Sequence, residues 1–421
     1  MDTTTWRKEE RESPFLLDRW GDEKHEHALI YDIEYWYENC KSFTFDTRFL
    51  PISLEEGKAI IEADRHYSMN IVGSLDENVK NTISALEGKL KTIFDDIKQS
   101  NSDSNAGFFV RLSSRSPKDA GMDPHFQDRI ISHLIKLMDE NPVEEYYKDI
   151  DITQLNIDKS PIDDSYLQVP WKDIKLTEDL NLNLKLLANY HNNMLYKALG
   201  DILCVHTSSD IIDLLTYSER SYLDLLYEMK YPDTWKMQIV IRNWDKRVSI
   251  DLEFRVFVCC GIISGISQYN PYAFYPNLQG REEEIKQKIV NYHKKIADKI
   301  PYKTYVIDYL VNGDDVILVE LNPFSNTTGD CLFDWGSQRR HLQGGIDIWG
   351  DLEEWEGKYG IEYSNEDKED IQKRKYPIVK FGKDFFPSIV EYTSLQNEIF
   401  CKLYQELETR KQSYWNYCKL L

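Results

Sequence analysis

One hairpin constrains this chain more than any other segment. Tyr305–Val311 and Val316–Asn322 are nearly continuous apolar runs on either side of Asn312–Gly313, and Asn-Gly between two such runs is the strongest short-range hairpin signal. Runs this apolar belong to strands covered on both faces. Only Asp308, Glu320 and Asn322 interrupt them. An isolated ionised carboxylate in such a place costs on the order of several kcal/mol unless it is paired or bound to a metal. Glu320 and Asn322 are two apart and share a face, whereas Asp308 joins that face only if the loop holds an odd number of residues. A three-residue loop, Asn312–Asp314, meets that condition.

Three oxygen-bearing side chains without His or Cys form a hard-cation pattern, and magnesium takes one or two carboxylates together with phosphates and water. The pattern leaves a second reading equally open, in which Asp308 and Glu320 pair with core arginines such as Arg242 or Arg255. Cations that could meet phosphates are present. Arg111 ends the apolar strand Gly107–Leu112, Arg115 and Lys118 lie in the polar turn Ser113–Ala120 that follows, Arg242 closes another strand, and Arg255 interrupts Glu253–Val258. A guanidinium inside a strand needs an anion, and its planar fork suits phosphate oxygens; a buried Arg–Asp or Arg–Glu pair is the plainer alternative. No GxxxxGK[ST], GxGxxG or HExxH sequence occurs, which disfavours P-loop, Rossmann and zincin sites.

The charge balance removes other classes. With 72 acidic against 51 basic residues the formal charge is −21, so the chain repels a phosphate backbone, and general nucleic-acid or anionic-membrane binding is not expected. No stretch approaches the roughly 18 apolar residues of a membrane span, and the polar start offers no apolar signal core. A cytoplasmic location is expected. The seven cysteines form no CxxC pair and read as reduced thiols. His25 and His27 lack a matching downstream pair for zinc.

The chain is expected to comprise a polar arm (1–35), an amino-terminal lobe with a central insertion (36–236), a carboxy-terminal lobe (237–343) and an extension (344–421). Helical spacing runs from Leu54 to about Ser100, and Asp210–Met229 reads as one helix capped by Ser208 or Ser209. Short β-rich runs follow at Met237–Trp244, Glu253–Cys260 and Ile262–Gln268, then an amphipathic helix at Glu282–Lys299. A last helix is expected from about Tyr392.

The order of motifs resembles the cell division cycle protein 123 family. The blocks that carry the resemblance are Trp36-Tyr37 with Phe49-Leu50-Pro51, Val110-Arg111-Leu112-Ser113-Ser114-Arg115-Ser116-Pro117-Lys118-Asp119-Ala120, Ser208-Ser209-Asp210-Ile211 with Leu214-Leu215, Ile239-Val240-Ile241-Arg242-Asn243-Trp244, Glu253-Phe254-Arg255-Val256-Phe257-Val258, Gly265-Ile266-Ser267-Gln268, and Val306-Ile307-Asp308 followed by Glu320-Leu321-Asn322-Pro323-Phe324. The resemblance spans about Trp36 to Trp335. It implies an α+β, ATP-grasp-like fold, with two α+β lobes, mainly antiparallel sheets and ATP held between them. By the same resemblance, the adenine would lie against Gln238, Ile239, Val240 and Ile241, whose backbone would read the base edge, with Arg111, Ser113, Arg242 and Arg255 completing the nucleotide site. Asp308, Glu320 and Asn322 match the family's magnesium ligands, and with Arg255 they would carry any catalysis.

Three departures stand out. Arg111 replaces a phosphate-binding lysine, Glu320 replaces an aspartate, and Ser325-Asn326 replaces a Gly-Glu pair. Together with the long central segment and tail they make the chain look like a divergent paralogue. The implied role is ATP-dependent assembly of eukaryotic translation initiation factor two through its gamma subunit, by a monomer. Two alternatives stay open: an ATP-grasp ligase or phosphotransferase working through a phosphorylated intermediate, and a binding module that no longer uses ATP.

Overall fold

The computed structural model describes residues 30–68, 73–100, 107–150, 177, 180–259, 261–325, 327–335, 338, 342 and 378–380. Most of the expected amino-terminal arm, nearly all of the carboxy-terminal extension and the helix expected from Tyr392 lie outside these residues.

The described elements are α1 (Ile33–Cys40), β1 (Thr47–Pro51), α2 (Leu54–Ser68), α3 (Glu77–Ser100), β2 (Phe108–Leu112), α4 (Gln127–Glu140), α5 (Val143–Tyr146), α6 (Leu180–Asp201), β3 (Cys204–Val205), α7 (Ser208–Thr216), α8 (Glu219–Glu228), β4 (Gln238–Asn243), β5 (Glu253–Cys259), β6 (Ile262–Gln268), α9 (Glu282–Ile296), β7 (Tyr305–Asn312), β8 (Asp315–Asn322) and β9 (Ile378–Lys380). This is the expected mixed α+β fold with mainly antiparallel sheets. The chain divides into two compact units. The first comprises the described residues of Met1–Ala120, Leu203–Tyr269 and Arg281–Lys380, and the second those of Gly121–Ile202 and Asn270–Gly280.

The first unit contains both sheets. One has the order β1-β4-β2-β3 and is antiparallel throughout; the other has the order β8-β7-β5-β6-β9, with only the β6–β9 pairing parallel. Gln238–Asn243, grouped by sequence with the carboxy-terminal lobe, is therefore an interior strand of the other sheet. One face of that sheet carries Phe108, Val110, Leu112, Ile239 and Ile241 and turns toward α3, where Phe94 stacks on Phe108 at 4.1 Å between ring centroids. Arg111, Val240 and Arg242 occupy the opposite face.

Local signals explain the helix boundaries. Ser53 and Glu56 form reciprocal bonds at the start of α2, with Ser53 N donating to Glu56 Oε2 at 2.8 Å and Glu56 N to Ser53 Oγ at 3.2 Å. The single helix expected over Asp210–Met229 is two. Thr207, not Ser208 or Ser209, caps α7 through a capping box with Asp210, and Ser218 starts α8 by accepting from Ser221 N at 3.1 Å. A second N-cap in mid-pattern breaks the helix because the serine oxygen competes for backbone donors.

In the second unit α6 buries asparagines among its apolar residues. Asn189 exchanges bonds with the Phe274 backbone, accepting from its N at 2.8 Å and donating to its O at 3.0 Å, while Tyr147 donates to Leu186 O at 2.9 Å. Among the described residues Cys40, Cys204, Cys259 and Cys331 are free thiols.

Candidate nucleotide and metal site

The β7–β8 hairpin aligns its carboxylates by a route other than the expected one. Asn312 pairs with Asp315, so the loop holds two residues, Gly313 and Asp314, and Gly313 adopts φ +57°. An even loop alone would set Asp308 opposite Val319. A bulge corrects this: Tyr309 pairs with Leu318 but Asp308 pairs with Glu320, leaving Val319 as the extra residue. Ser267, Arg255, Asp308 and Glu320 then form one transverse row across β6, β5, β7 and β8, with Asn322 opposite Val306 in the next row on the same face.

Side chains of this row close on one another. Arg255 grips Asp308 with both prongs, Nε to Oδ1 at 2.8 Å and Nη2 to Oδ2 at 2.7 Å, and donates Nη1 to Gly329 O at 2.7 Å. Arg111 reaches from β2 to bond Glu320 Oε2, and donates to Leu112 O at 3.1 Å and Ser114 O at 2.8 Å. Asn322 Nδ2 lies 3.3 Å from both Asp308 Oδ2 and Glu320 Oε1. Burial pushes the Asp308 carboxyl up to about 6, against the pull of Arg255 and with repulsion from Glu320 added. Burial acts the same way on Glu320, but the cations Arg111, Lys118 and Arg255 outweigh it and hold that carboxyl well below the usual range. Arg255 loses basicity by burial and regains more from Asp308, so it stays charged.

The row thus realises the ion-pair reading and brings together the residues of the magnesium reading. The pairings are Arg255–Asp308 and Arg111–Glu320. Arg242 takes no carboxylate. It donates to Thr47 Oγ1 at 3.1 Å and to the carbonyl of Val319 at 3.0 Å, and its buried Nη2 has no partner. Burial, then repulsion from Arg111, lowers it to about 9.

Not every residue expected to hold nucleotide presents itself here. Ile239 and Ile241 point to the helical face, and β4 is paired along both edges, so its backbone groups are committed to the sheet and cannot read a base edge. Gln238 and Val240 share the Arg242 face. Ser113 Oγ donates to Glu34 Oε1 at 2.9 Å and accepts from Gln238 N at 3.0 Å, a bracing role between α1 and β4. Arg115 is occupied by Asp224, at 3.0 and 2.9 Å from its Nε.

Glu253, which shares a face with Arg255 and was a possible partner for it, is not paired with it, since Arg255 takes Asp308; Tyr269, near this row, was not anticipated. Tyr269 lies under both Arg255 and Lys118, with its ring centroid 4.9 Å from the guanidinium carbon and 4.4 Å from the ammonium. A tyrosine one position past a strand end gives no sequence signal. Burial, with repulsion from Asp308, raises Glu253 to about 8.

The donor set fits magnesium shared with phosphates. No group of three His, Cys, Asp or Glu that could hold a metal occurs among the described residues, but two carboxylates and one amide suffice when phosphate oxygens complete the shell. The Asn322 amide sits against both carboxylates, and a half-turn of that amide would present its oxygen there instead.

An α+β protein with two neighbouring carboxylates on one sheet, gripped by one guanidinium from that sheet and one from the other, is the class so defined. Residues 187–383 match the family model described as D123, in agreement with the resemblance read from the motifs. A relative named translation initiation factor eIF2 assembly protein from Xenopus laevis is 30% identical over 197 residues, covering 45% of this chain and 57% of that protein. One of the same name from Candida albicans is 29% identical over 153 residues, covering 34% and 42%. The chain thus spans about half the length of these curated relatives. The solved structure of Cdc123 from Schizosaccharomyces pombe covers 75% of this chain and 91% of its own, with a TM-score of 0.45 and 17% identity.

Proposed function

We propose that this chain binds magnesium-ATP at the Arg111–Glu320–Asp308–Arg255 row and acts in the cytoplasm, as a monomer with a chaperone-like role, in assembling eukaryotic translation initiation factor two through its gamma subunit. The observation that carries the nucleotide half is the pairing itself. Each guanidinium holds a carboxylate where a phosphate could stand, and each carboxylate holds a cation where a metal could stand. Exchanging both sets together conserves charge pairing, so the large desolvation cost of an unpaired buried ion is avoided. Bound magnesium would neutralise phosphate charge and fix the oxygens of the distal phosphates. Asp308, Glu320 and Asn322 would hold the metal, and Arg111 and Arg255 would hold phosphate oxygens through their planar forks. The assembly half rests on the names of the relatives.

Calorimetric titration of the full chain with ATP, with and without magnesium, tests the first half. Magnesium-dependent binding that weakens in Glu320→Gln supports it, and equal affinity in the variant refutes it. Capture of the isolated gamma subunit, strengthened by magnesium-ATP in the wild type and not in Glu320→Gln, tests the second by linkage between the two sites. Release of ADP with no translation factor present would favour the ligase or phosphotransferase reading instead.

A further inference from the structure

The turn after β2 and the start of α8 are clamped together by one side chain. Asp119 accepts from Ser218 Oγ at 2.7 Å and from the Arg220 backbone N at 2.9 Å. The clamp holds the turn that carries Lys118 against the helix end that carries Arg220, and burial, then repulsion from Arg220, lowers the Lys118 ammonium to about 8. Among the described residues neither cation has a carboxylate within salt-bridge distance. Among the described residues the Lys118 ammonium makes its polar contact with the Tyr269 hydroxyl, and Arg220 Nε is a buried donor without a partner. Of the other guanidinium groups in this region, Arg111 has Glu320, Arg115 has Asp224 and Arg255 has Asp308, while Arg242 is bonded to Thr47 and the Val319 carbonyl. Glu320 and Glu253 act on Lys118, and Asp119 and Glu320 on Arg220, but each from beyond salt-bridge distance. A largely desolvated cation without a direct partner is costly, and such a pair suits an anion placed against both head groups.

We propose that Lys118 and Arg220 form a phosphoryl-binding subsite beside the Asp308–Glu320 row, taking a dianionic phosphate group against their two positive charges. Tyr269, under both Lys118 and Arg255, ties the subsite to the row. The subsite deepens the nucleotide reading and rests on it only for the identity of the phosphate's carrier, which is either the terminal phosphate of a nucleotide or free phosphate.

The test uses the full chain with inorganic phosphate as probe and thermal unfolding as readout, on the wild type, Lys118→Met, Arg220→Met, the double variant and the charge-preserving Lys118→Arg. Phosphate should raise the wild-type midpoint, the double variant should lose that response, and Lys118→Arg should keep most of it. Without phosphate the methionine variants should be at least as stable as wild type, because each removes an unpaired buried charge. Calorimetry with ATP and ADP separates the carriers. A loss of about tenfold or more for ATP in the double variant, with ADP little changed, assigns the terminal phosphate; unchanged affinity for both, with the phosphate response gone, assigns free phosphate. A wild type that ignores ATP but responds to phosphate removes the nucleotide reading and leaves the subsite. The subsite is refuted if the double variant keeps the full phosphate response, if the wild type shows none while ATP affinity is the same in the double variant, or if every neutral variant unfolds.

Discussion

Exchanging Asp308 for asparagine changes almost no volume, at a position with no solvent exposure, and on size alone it should be silent. The ion pair argues otherwise. The carboxylate accepts two bonds from Arg255, at 2.8 and 2.7 Å. Hydrogen bonds to a charged group are worth about 1.5–3 kcal/mol each, and breaking one side of a buried pair costs about 3–5 kcal/mol because the other charge is left uncompensated. Both routes converge on about 4 kcal/mol, a large part of the roughly 5–15 kcal/mol that stabilises a domain. Urea unfolding followed by circular dichroism measures it, with an unchanged m-value showing that the unfolded reference has not moved. Arg255→Met should cost a similar amount. The double variant Asp308→Leu with Arg255→Met should recover most of the loss, since apolar replacement of a whole buried pair is often neutral. Single variants costing less than about 1 kcal/mol, or a double variant whose cost is the sum of the two, would refute the argument.

Glu228 is buried, and burial, then repulsion from Asp224 and Glu34, raises its carboxyl from 4.5 to about 8. An acid whose folded pKa is raised binds a proton on folding, so its stability is full below pH 4.5 and is lost as pH rises to about 8. Glu228→Gln should therefore flatten the decline over that window and exceed wild type by about 1 kcal/mol or more at its upper end, as read by denaturant titration across pH. Gly313 holds φ +57° with nothing near its missing Cβ, so Gly313→Ala should cost about 1 kcal/mol through backbone strain alone, visible as a lower thermal midpoint with nucleotide affinity unchanged. A Cβ on Gly265 would lie 2.9 Å from Phe333 and 2.8 Å from Leu342. Gly265→Ala should push apart the cluster of Phe257, Val306, Phe333, Trp335 and Leu342 and cost about 1–3 kcal/mol, while an unchanged unfolding midpoint would show that the cluster yields freely.

The hairpin was legible because its composition is extreme, and so was the convergence of Asp308, Glu320 and Asn322. The way they converge was not. Val319 is an ordinary strand residue, and no local pattern says that it, rather than the turn, absorbs the odd position. The choice between metal and ion pair was open from sequence because an arginine's partner is fixed by strand order, and only the β5–β7 neighbourhood puts Arg255 opposite Asp308. β3 has two residues and β9 three, too few for a period to show. Lys118 was visible as a cation in a turn. Arg220, in the first turn of α8, looks like any surface helix residue until Asp119 fastens that helix end to the turn.

The bulge at Val319 does more than set register. Its carbonyl accepts from Arg242 Nη1 at 3.0 Å, while at the preceding residue Leu318 N donates to Phe43 O at 2.9 Å and Leu318 O accepts from Thr44 Oγ1 at 2.7 Å. Three bonds therefore bind the β8 edge of one sheet to the segment entering β1 and to β4 in the other, like stitching along the spine of a book. While the stitches hold, the two sheets can part only by swinging about that line, so the Arg111–Glu320 contact would open through an angle rather than by sliding.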